Sequence, residues 1–253
     1  MADAAVKVPR HEHTGFFRFL EAVVLPFLWL VARIEREGTK NIPREGGFVI
    51  APNHTSNLDP LVMGAGVFLG GRSPHFLGKA SLWKIPFVRW LLNKTGQIPV
   101  YRGAVTRDND PLRAAMAAVQ NEGKGIIVYP EGTLTRDPAL WPMRGKTGAV
   151  RLALATGVPL IPCAHWGTEQ VLPPYAKFLR TIPRKKIVIR FGEPLDLSAF
   201  KGRELDSATL AEATEVVMKA ITELVAELRG EPAPAERWDP VKHGQSEFGR
   251  PQA

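Results

Sequence analysis

A histidine and an aspartate stand five residues apart in the segment APNHTSNLDP (51–60), as His54 and Asp59. The apolar run FVIA (48–51) before them reads as a buried strand. Asp59-Pro60 after them reads as a helix start, with aspartate as N-cap and proline at the first helical position. Strand ends in α/β folds are where sites collect. A turn of this length can fold Asp59 back onto the His54 ring. A carboxylate on one ring nitrogen fixes the tautomer and leaves the other nitrogen free to take a proton. Two readings stand at this point. In one, Asp59 only caps a helix and His54 is a satisfied loop histidine. In the other, the two form a general-base pair.

Three further blocks carry chemistry-bearing residues at strand ends. QIPVYR (97–102) ends in Arg102, VYPEGT (128–133) ends in Glu131, Gly132 and Thr133, and VPLIP (158–162) is a strand punctuated by proline. Arg102 and Glu131 also read as an ion pair between neighbouring strand ends. Other chemistries lack their residues. No G-x-S-x-G turn presents a serine nucleophile, and no H-E-x-x-H is present. MRGKTG (143–148) looks like the end of a phosphate-binding loop, but the required glycine at 140 is Leu140. Gly64 and Gly66 begin a dinucleotide fingerprint that fails at Leu69.

These residues need a frame to hold them. Short apolar runs alternate with helical periods from Gly47 onward. HFLGK (75–79), QIPVY (97–101), GIIVYP (125–130), VPLIPCA (158–164) and KIVIRFG (186–192) read as strands. Helices are predicted over 59–69, 85–93, 111–123, 147–156 and 207–229. The alternation implies an α/β domain built on a layered sheet. The expected organisation is a loose terminus (1–15), a hydrophobic or amphipathic membrane-docking helix (16–40), the α/β domain (41–230) and a flexible, Pro- and Gly-rich tail (231–253).

Charge narrows the partners. The 253 residues carry a net +8, with 33 Lys and Arg against 25 Asp and Glu. From Pro60 to Arg107 there is no acidic residue, and the same holds from Gln170 to Gly192. The first window interleaves Lys79, Lys84, Arg89 and Lys94 with Trp83, Phe87 and Trp90. Rings beside amines suit a membrane interface, where aromatic side chains sit at headgroup level. Nucleic acid would also take the charge, but no nucleic-acid-binding motif is present. The apolar stretch Phe16–Val31 is interrupted by Arg18, Glu21 and Pro26. It reads either as a helix capping the core or as one lying in the membrane interface. A single cysteine, Cys163, rules out an intrachain disulfide.

The four blocks NHTSNLD, QIPVYR, VYPEGT and VPLIP, in this order, resemble the glycerophospholipid acyltransferase family, whose best known member type is 1-acyl-glycerol-3-phosphate acyltransferase. The resemblance covers roughly residues 45–195. It implies a central mixed, mostly parallel sheet flanked by helices, with an N-terminal membrane-associated helical segment. It implies His54 as general base for an acceptor hydroxyl and Asp59 as its orienting partner. The hydroxyl would attack the thioester of acyl-CoA or acyl carrier protein directly, with no cofactor and no metal. Glu131, Gly132 and Thr133 would shape the acceptor site, Arg102 would hold its phosphate, and Pro159 and Pro162 would line the acyl chain. The family's third block usually reads E-G-T-R-S. Here Leu134 takes the arginine's place, and Arg136 lies two residues on. Arg136 or Lys79 would then be the substitute, with Arg144 and Lys146 as further candidates. The expected partners are membrane lipid and the acyl thioester, with no nucleic acid. The expected place is the cytoplasmic face of the cell membrane, peripheral or monotopic. Alternatives are a lysophospholipid acyltransferase and a non-catalytic membrane lipid-binding protein.

Overall fold

The computed structural model describes residues 15–101 and 110–246. Helix α1 (Gly15–Val31) runs directly into strand β1 (Ala32–Glu37). β2 (Phe48–Pro52) leads through the His54 loop to α2 (Asp59–Leu69). β3 (His75–Lys79) leads through a short 3-10 turn to α3 (Pro86–Lys94). β4 (Ile98–Val100), α4 (Pro111–Glu122), β5 (Gly125–Ile127), α5 (Gly148–Thr156) and β6 (Leu160–Trp166) follow. A single-turn α6 (Thr168–Val171), β7 (Lys185–Phe191) and the long α7 (Ser207–Arg229) complete the order.

The seven strands form one sheet in the order β1-β7-β6-β2-β5-β3-β4. The five strands from β6 to β4 are parallel. β7 runs antiparallel to β6 and carries β1 parallel to itself. This is the mixed, mostly parallel sheet that the family resemblance implied, on the α/β layering that the alternating pattern implied. Strand alternation sends side chains to two cores. Val49, Ala51, Ile126 and Leu160 pack against α4, α5 and α7. Phe48, Ile50, Ile127, Ile161 and Cys163 pack against α1 and α2. α2 approaches closely because Gly66 has no side chain: a Cβ there would lie 2.8 Å from the Ile189 side chain. That packing accounts for one of the glycines that mimicked a nucleotide-binding motif.

The segment 16–40 divides into helix and strand. The helix ends at Val31, and ARIERE (32–37) pairs residue for residue with β7, Ile34 opposite Ile187. Its polar character suits an edge strand, exposed where a central strand would be buried. No helix among the described residues is long and apolar enough to cross a membrane. Arg237 and Trp238, in the expected flexible tail, lie against the domain: the Arg144 N–H donates to Trp238 O at 2.9 Å, and Arg237 pairs with Glu215. Arg72, which lies in the acid-free window from Pro60 to Arg107, faces inward. It is buried and donates to the carbonyls of Pro43, Gly46 and Gly123, with its guanidinium over the Phe48 ring.

Candidate active site

The parallel strands bring separate sequence blocks to one edge. Residues that leave the carboxyl ends of β2, β5 and β6 include His54, Glu131 and Thr168, while Lys79 ends β3. β2 is fully buried, so the loop it launches emerges from the centre of the sheet.

Within that loop Asp59 turns backward. The N-cap of α2 is Leu58, and no side chain caps the helix. Instead Asp59 Oδ2 accepts the N–H groups of Thr55 at 2.7 Å and Ser56 at 2.8 Å, and stands 2.9 Å from His54 Nδ1. A plain helix cap would accept amides that follow it, not amides that precede it. This separates the two readings of the motif in favour of a charge-fixed histidine. Asp59 is fully buried, while the His54 side chain keeps 16% of its surface open. Burial pushes the Asp59 carboxyl up. His165 and His54, with the Thr168 hydroxyl, more than offset that and hold it below its ordinary value. With Asp59 ionised, Nδ1 carries the proton and Nε2 is left as the acceptor.

A second ring of residues holds this pair. Glu131 Oε1 accepts the His54 backbone N–H at 2.9 Å, and its Oε2 accepts the Met143 N–H at 3.1 Å. The Thr135 N–H donates to His54 O at 2.7 Å. The Tyr129 ring stacks on the His54 ring, centroids 4.2 Å apart and 27° between planes. Burial pushes the Tyr129 hydroxyl well above its ordinary pKa, so the ring on His54 is neutral. From β6, His165 meets Asn53 three times: its N–H on Asn53 Oδ1, its carbonyl on Asn53 Nδ2, and its Nε2 2.8 Å from Asn53 O. The same Nε2 lies 3.6 Å from Asp59 Oδ2, and the Thr168 hydroxyl lies 3.3 Å from His165 Nδ1. Asn53, Tyr129, His165 and Thr168 were not singled out from sequence. Asn53 and Tyr129 were legible as neighbours of motif residues. His165 and Thr168 had no signal beyond lying just past a strand.

A family model for acyltransferases matches residues 33–166, which contain both β2 and β6. The chain belongs to the acyltransferase family. It is 28% identical over 171 residues to a chloroplastic 1-acyl-sn-glycerol-3-phosphate acyltransferase of Brassica napus, covering 66% of this chain and 48% of the relative. It is 31% identical over 156 residues to the enzyme of the same name from Borreliella burgdorferi, covering 60% and 59%. The chain thus matches about half the length of these relatives. The crystal structure of a 1-acyl-sn-glycerophosphate acyltransferase from Thermotoga maritima superposes with a TM-score of 0.64 at 27% identity, covering 86% of this chain and 81% of that one.

The remaining expected site residues of this acyltransferase fall in different places. Gly132 is exposed in a left-handed turn (φ 68°), where a Cβ would lie 3.3 Å from the Lys146 side chain. Thr133 is half-buried beside it. Lys79 is exposed at the end of β3. With β5 between them, that end is two strands from β2, on the order of 10 Å. Arg136 is inside, 4% exposed, and so is Leu134. Arg144 is exposed and lies 3.6 Å from Asp239. Arg102 lies outside the described residues. The two prolines expected to line the acyl chain stand away from the site. Pro159 precedes β6 at the opposite edge of the sheet, and Pro162 is buried beneath α7 against Leu224 and Gly192.

Proposed function

We propose that this chain transfers a fatty acyl group from an acyl thioester to the free hydroxyl of 1-acyl-glycerol-3-phosphate, giving phosphatidic acid. The observation that carries the reading is the His54–Asp59 pair, locked by two backbone amides at the carboxyl edge of the sheet. His54 Nε2 takes the proton as the acceptor oxygen attacks the thioester carbonyl. The imidazolium that forms is stabilised by Asp59. The tetrahedral intermediate then collapses, the C–S bond breaks, and the thiolate leaves and takes the proton back from His54. Acyl-CoA and acyl carrier protein both supply the required thioester. A thioester is already activated, so the transfer calls on no cofactor. Cys163 is buried with its thiol pushed well above its ordinary pKa, which disfavours an acyl-enzyme at that residue.

The same reading places the enzyme on a membrane surface, peripherally. α1 exposes Phe19, Val23, Trp29 and Leu30, and α3 exposes Phe87 and Trp90. Phe16 meets Trp90 edge-on at 5.2 Å, which joins the two helices into one apolar and basic surface. A second reading, acylation of a lysolipid with a different headgroup, is favoured by Leu134, buried where the family's phosphate-binding arginine stands. The deciding experiment incubates purified protein with labelled acyl-CoA or acyl carrier protein and a panel of lysolipids. Transfer to lysophosphatidate above all other acceptors supports the first reading. Preference for an acceptor without a terminal phosphate supports the second.

A further inference from the structure

The loop of residues 172–184, between α6 and β7, takes no part in the chemistry above. Yet its start is tied to the His54–Asp59 loop and its end to the junction of α1 and β1. At its start, the Ser56 hydroxyl donates to Leu172 O at 2.6 Å, so the loop springs from the segment that holds Asp59. At its end, the Arg184 guanidinium donates to Ala32 O at 2.9 Å, and Lys185 pairs with Ala32 where α1 passes into β1. The loop folds on itself, with the Arg180 N–H on Val171 O at 2.7 Å.

Its side chains point out. Phe178 is 83% and Ile182 92% exposed, with Leu179 partly so. Lys177, Arg180 and Arg184 stand exposed among them. Single exposed apolar residues are ordinary, but two large ones this bare on one short loop call for a partner. No acidic residue occurs between Gln170 and Gly192. A nucleic acid would take the cations and leave Ile182 in water. An anionic bilayer accepts both, the apolar tips below the headgroups and the amines among the phosphates.

We propose that the 172–184 loop is a second lipid-contacting element, which seats the site against an anionic bilayer together with α1 and α3. The inference rests on the reading that the acceptor is a membrane lipid. Continuity supports it. α1, about 25 Å long, meets Trp90 of α3 near its first turn and the loop's Arg184 just past its last. The exposed Trp29 and Leu30 stand close before Ala32, at the loop end. The loop is thus hydrogen-bonded at its start to Ser56, two residues from the base that must meet the acceptor hydroxyl.

The test is partition into phosphatidylcholine vesicles with and without phosphatidylglycerol, measured by co-sedimentation. Phe178→Ser with Ile182→Ser should lower partition on the order of tenfold or more. Lys177→Gln with Arg180→Gln should lower it about fivefold per cation, and only where phosphatidylglycerol is present. All four positions are exposed, so circular dichroism and the thermal midpoint should match wild type. Cys163 is buried, so Ile182→Cys can be labelled selectively with a polarity-sensitive dye, whose emission should shift to the blue on vesicles. Wild-type partition in both double variants, or an unshifted dye, overturns the proposal. Failure of the functional reading looks different. A protein that partitions through this loop but acylates no lysolipid retains the loop assignment and loses the assigned reaction.

Discussion

Glu131 grips His54 by the backbone: Oε1 accepts the His54 N–H at 2.9 Å while Oε2 accepts the Met143 N–H. The carboxylate leaves the end of β5 and the histidine leaves the end of β2, so one side chain ties two strand ends together. With both oxygens engaged and the residue fully buried, Glu131 fixes the shape of the His54 loop.

Replacing Glu131 should therefore be felt in both activity and stability. Burial pushes its carboxyl up to about 8, against the two backbone amides that pull it down. A folded-state pKa above the unfolded one means stability that is complete below about 4.5 and is lost as pH rises toward 8. The slope is roughly 1.4 kcal/mol per pH unit inside that window. Glu131→Gln removes the titration, so its unfolding free energy should be flatter than wild type between those pH values. At pH 5 the wild-type residue is itself a neutral acid, so the neutral amide should leave the thermal midpoint there near wild type. Denaturant titrations of both proteins across pH 4–9 check this, and equal slopes would remove Glu131 as the titrating group.

His54→Ala should cut kcat by about 10²–10⁴ and leave the fold intact, since the ring is partly open and Asp59 keeps its two backbone N–H donors without it. Asp59→Asn should be worse for folding. The amide keeps one acceptor oxygen but loses the charge that three donors face. Parallel measurement of turnover and thermal midpoint separates the two. A His54→Ala enzyme with near wild-type turnover would sink the base assignment.

Much of this was legible in the chain. Strand and helix order followed from apolar runs bounded by proline and glycine. α7 begins and ends where the pattern put it, with Asp206 as N-cap and Gly230 as the left-handed C-cap. The His54–Asp59 contact followed from spacing. Its direction did not, because Asp59-Pro60 satisfies the N-cap pattern whichever way the carboxylate turns. β1 was hidden because an edge strand of alternating charge has little apolar signal. Arg136 was expected at the acceptor phosphate and Arg72 falls in the first acid-free window, yet both are buried, since sequence charge carries no burial information. His165 was out of reach for a different reason. It meets Asn53 only because β6 and β2 are neighbours, and residues 112 apart have no local pattern to link them.

The cations should divide by location. Lys79 is exposed at the site edge, so Lys79→Ala should raise the acceptor KM roughly fivefold through a screened phosphate contact, with the acyl-donor KM unchanged. Lys146, whose stem packs beside Gly132, should behave similarly. Arg136→Ala removes a buried group and should lower the thermal midpoint instead. Steady-state kinetics with both substrates varied distinguishes these patterns. A KM effect confined to Arg136 would reverse the assignment.

His165 should prove a positioning residue that acts through Asp59 and the loop. It holds Asn53 by both backbone groups, and its ring nitrogen stands 2.8 Å from the Asn53 carbonyl, so that nitrogen carries a proton. The same N–H faces Asp59 Oδ2 at 3.6 Å. Burial favours the neutral carboxyl, and His165 is foremost among the groups that overcome it. His165→Leu keeps the backbone bonds and much of the volume but removes this support. The Asp59 carboxyl should then titrate higher. A depressed carboxyl contributes stability above its unfolded value near 3.8 and loses it as pH falls, so the variant should forfeit that contribution and unfold at a higher pH on acid titration. Turnover should fall by about 10-fold to 100-fold, less than for His54→Ala, because the base itself remains. The acceptor KM should stay near wild type, since His165 is fully buried and meets no substrate. His165→Gln, which can return an N–H toward Asn53, should recover part of both losses. If His165→Leu lowers stability equally at all pH values and Gln restores nothing, His165 is packing alone and Asp59 is held by its backbone amides.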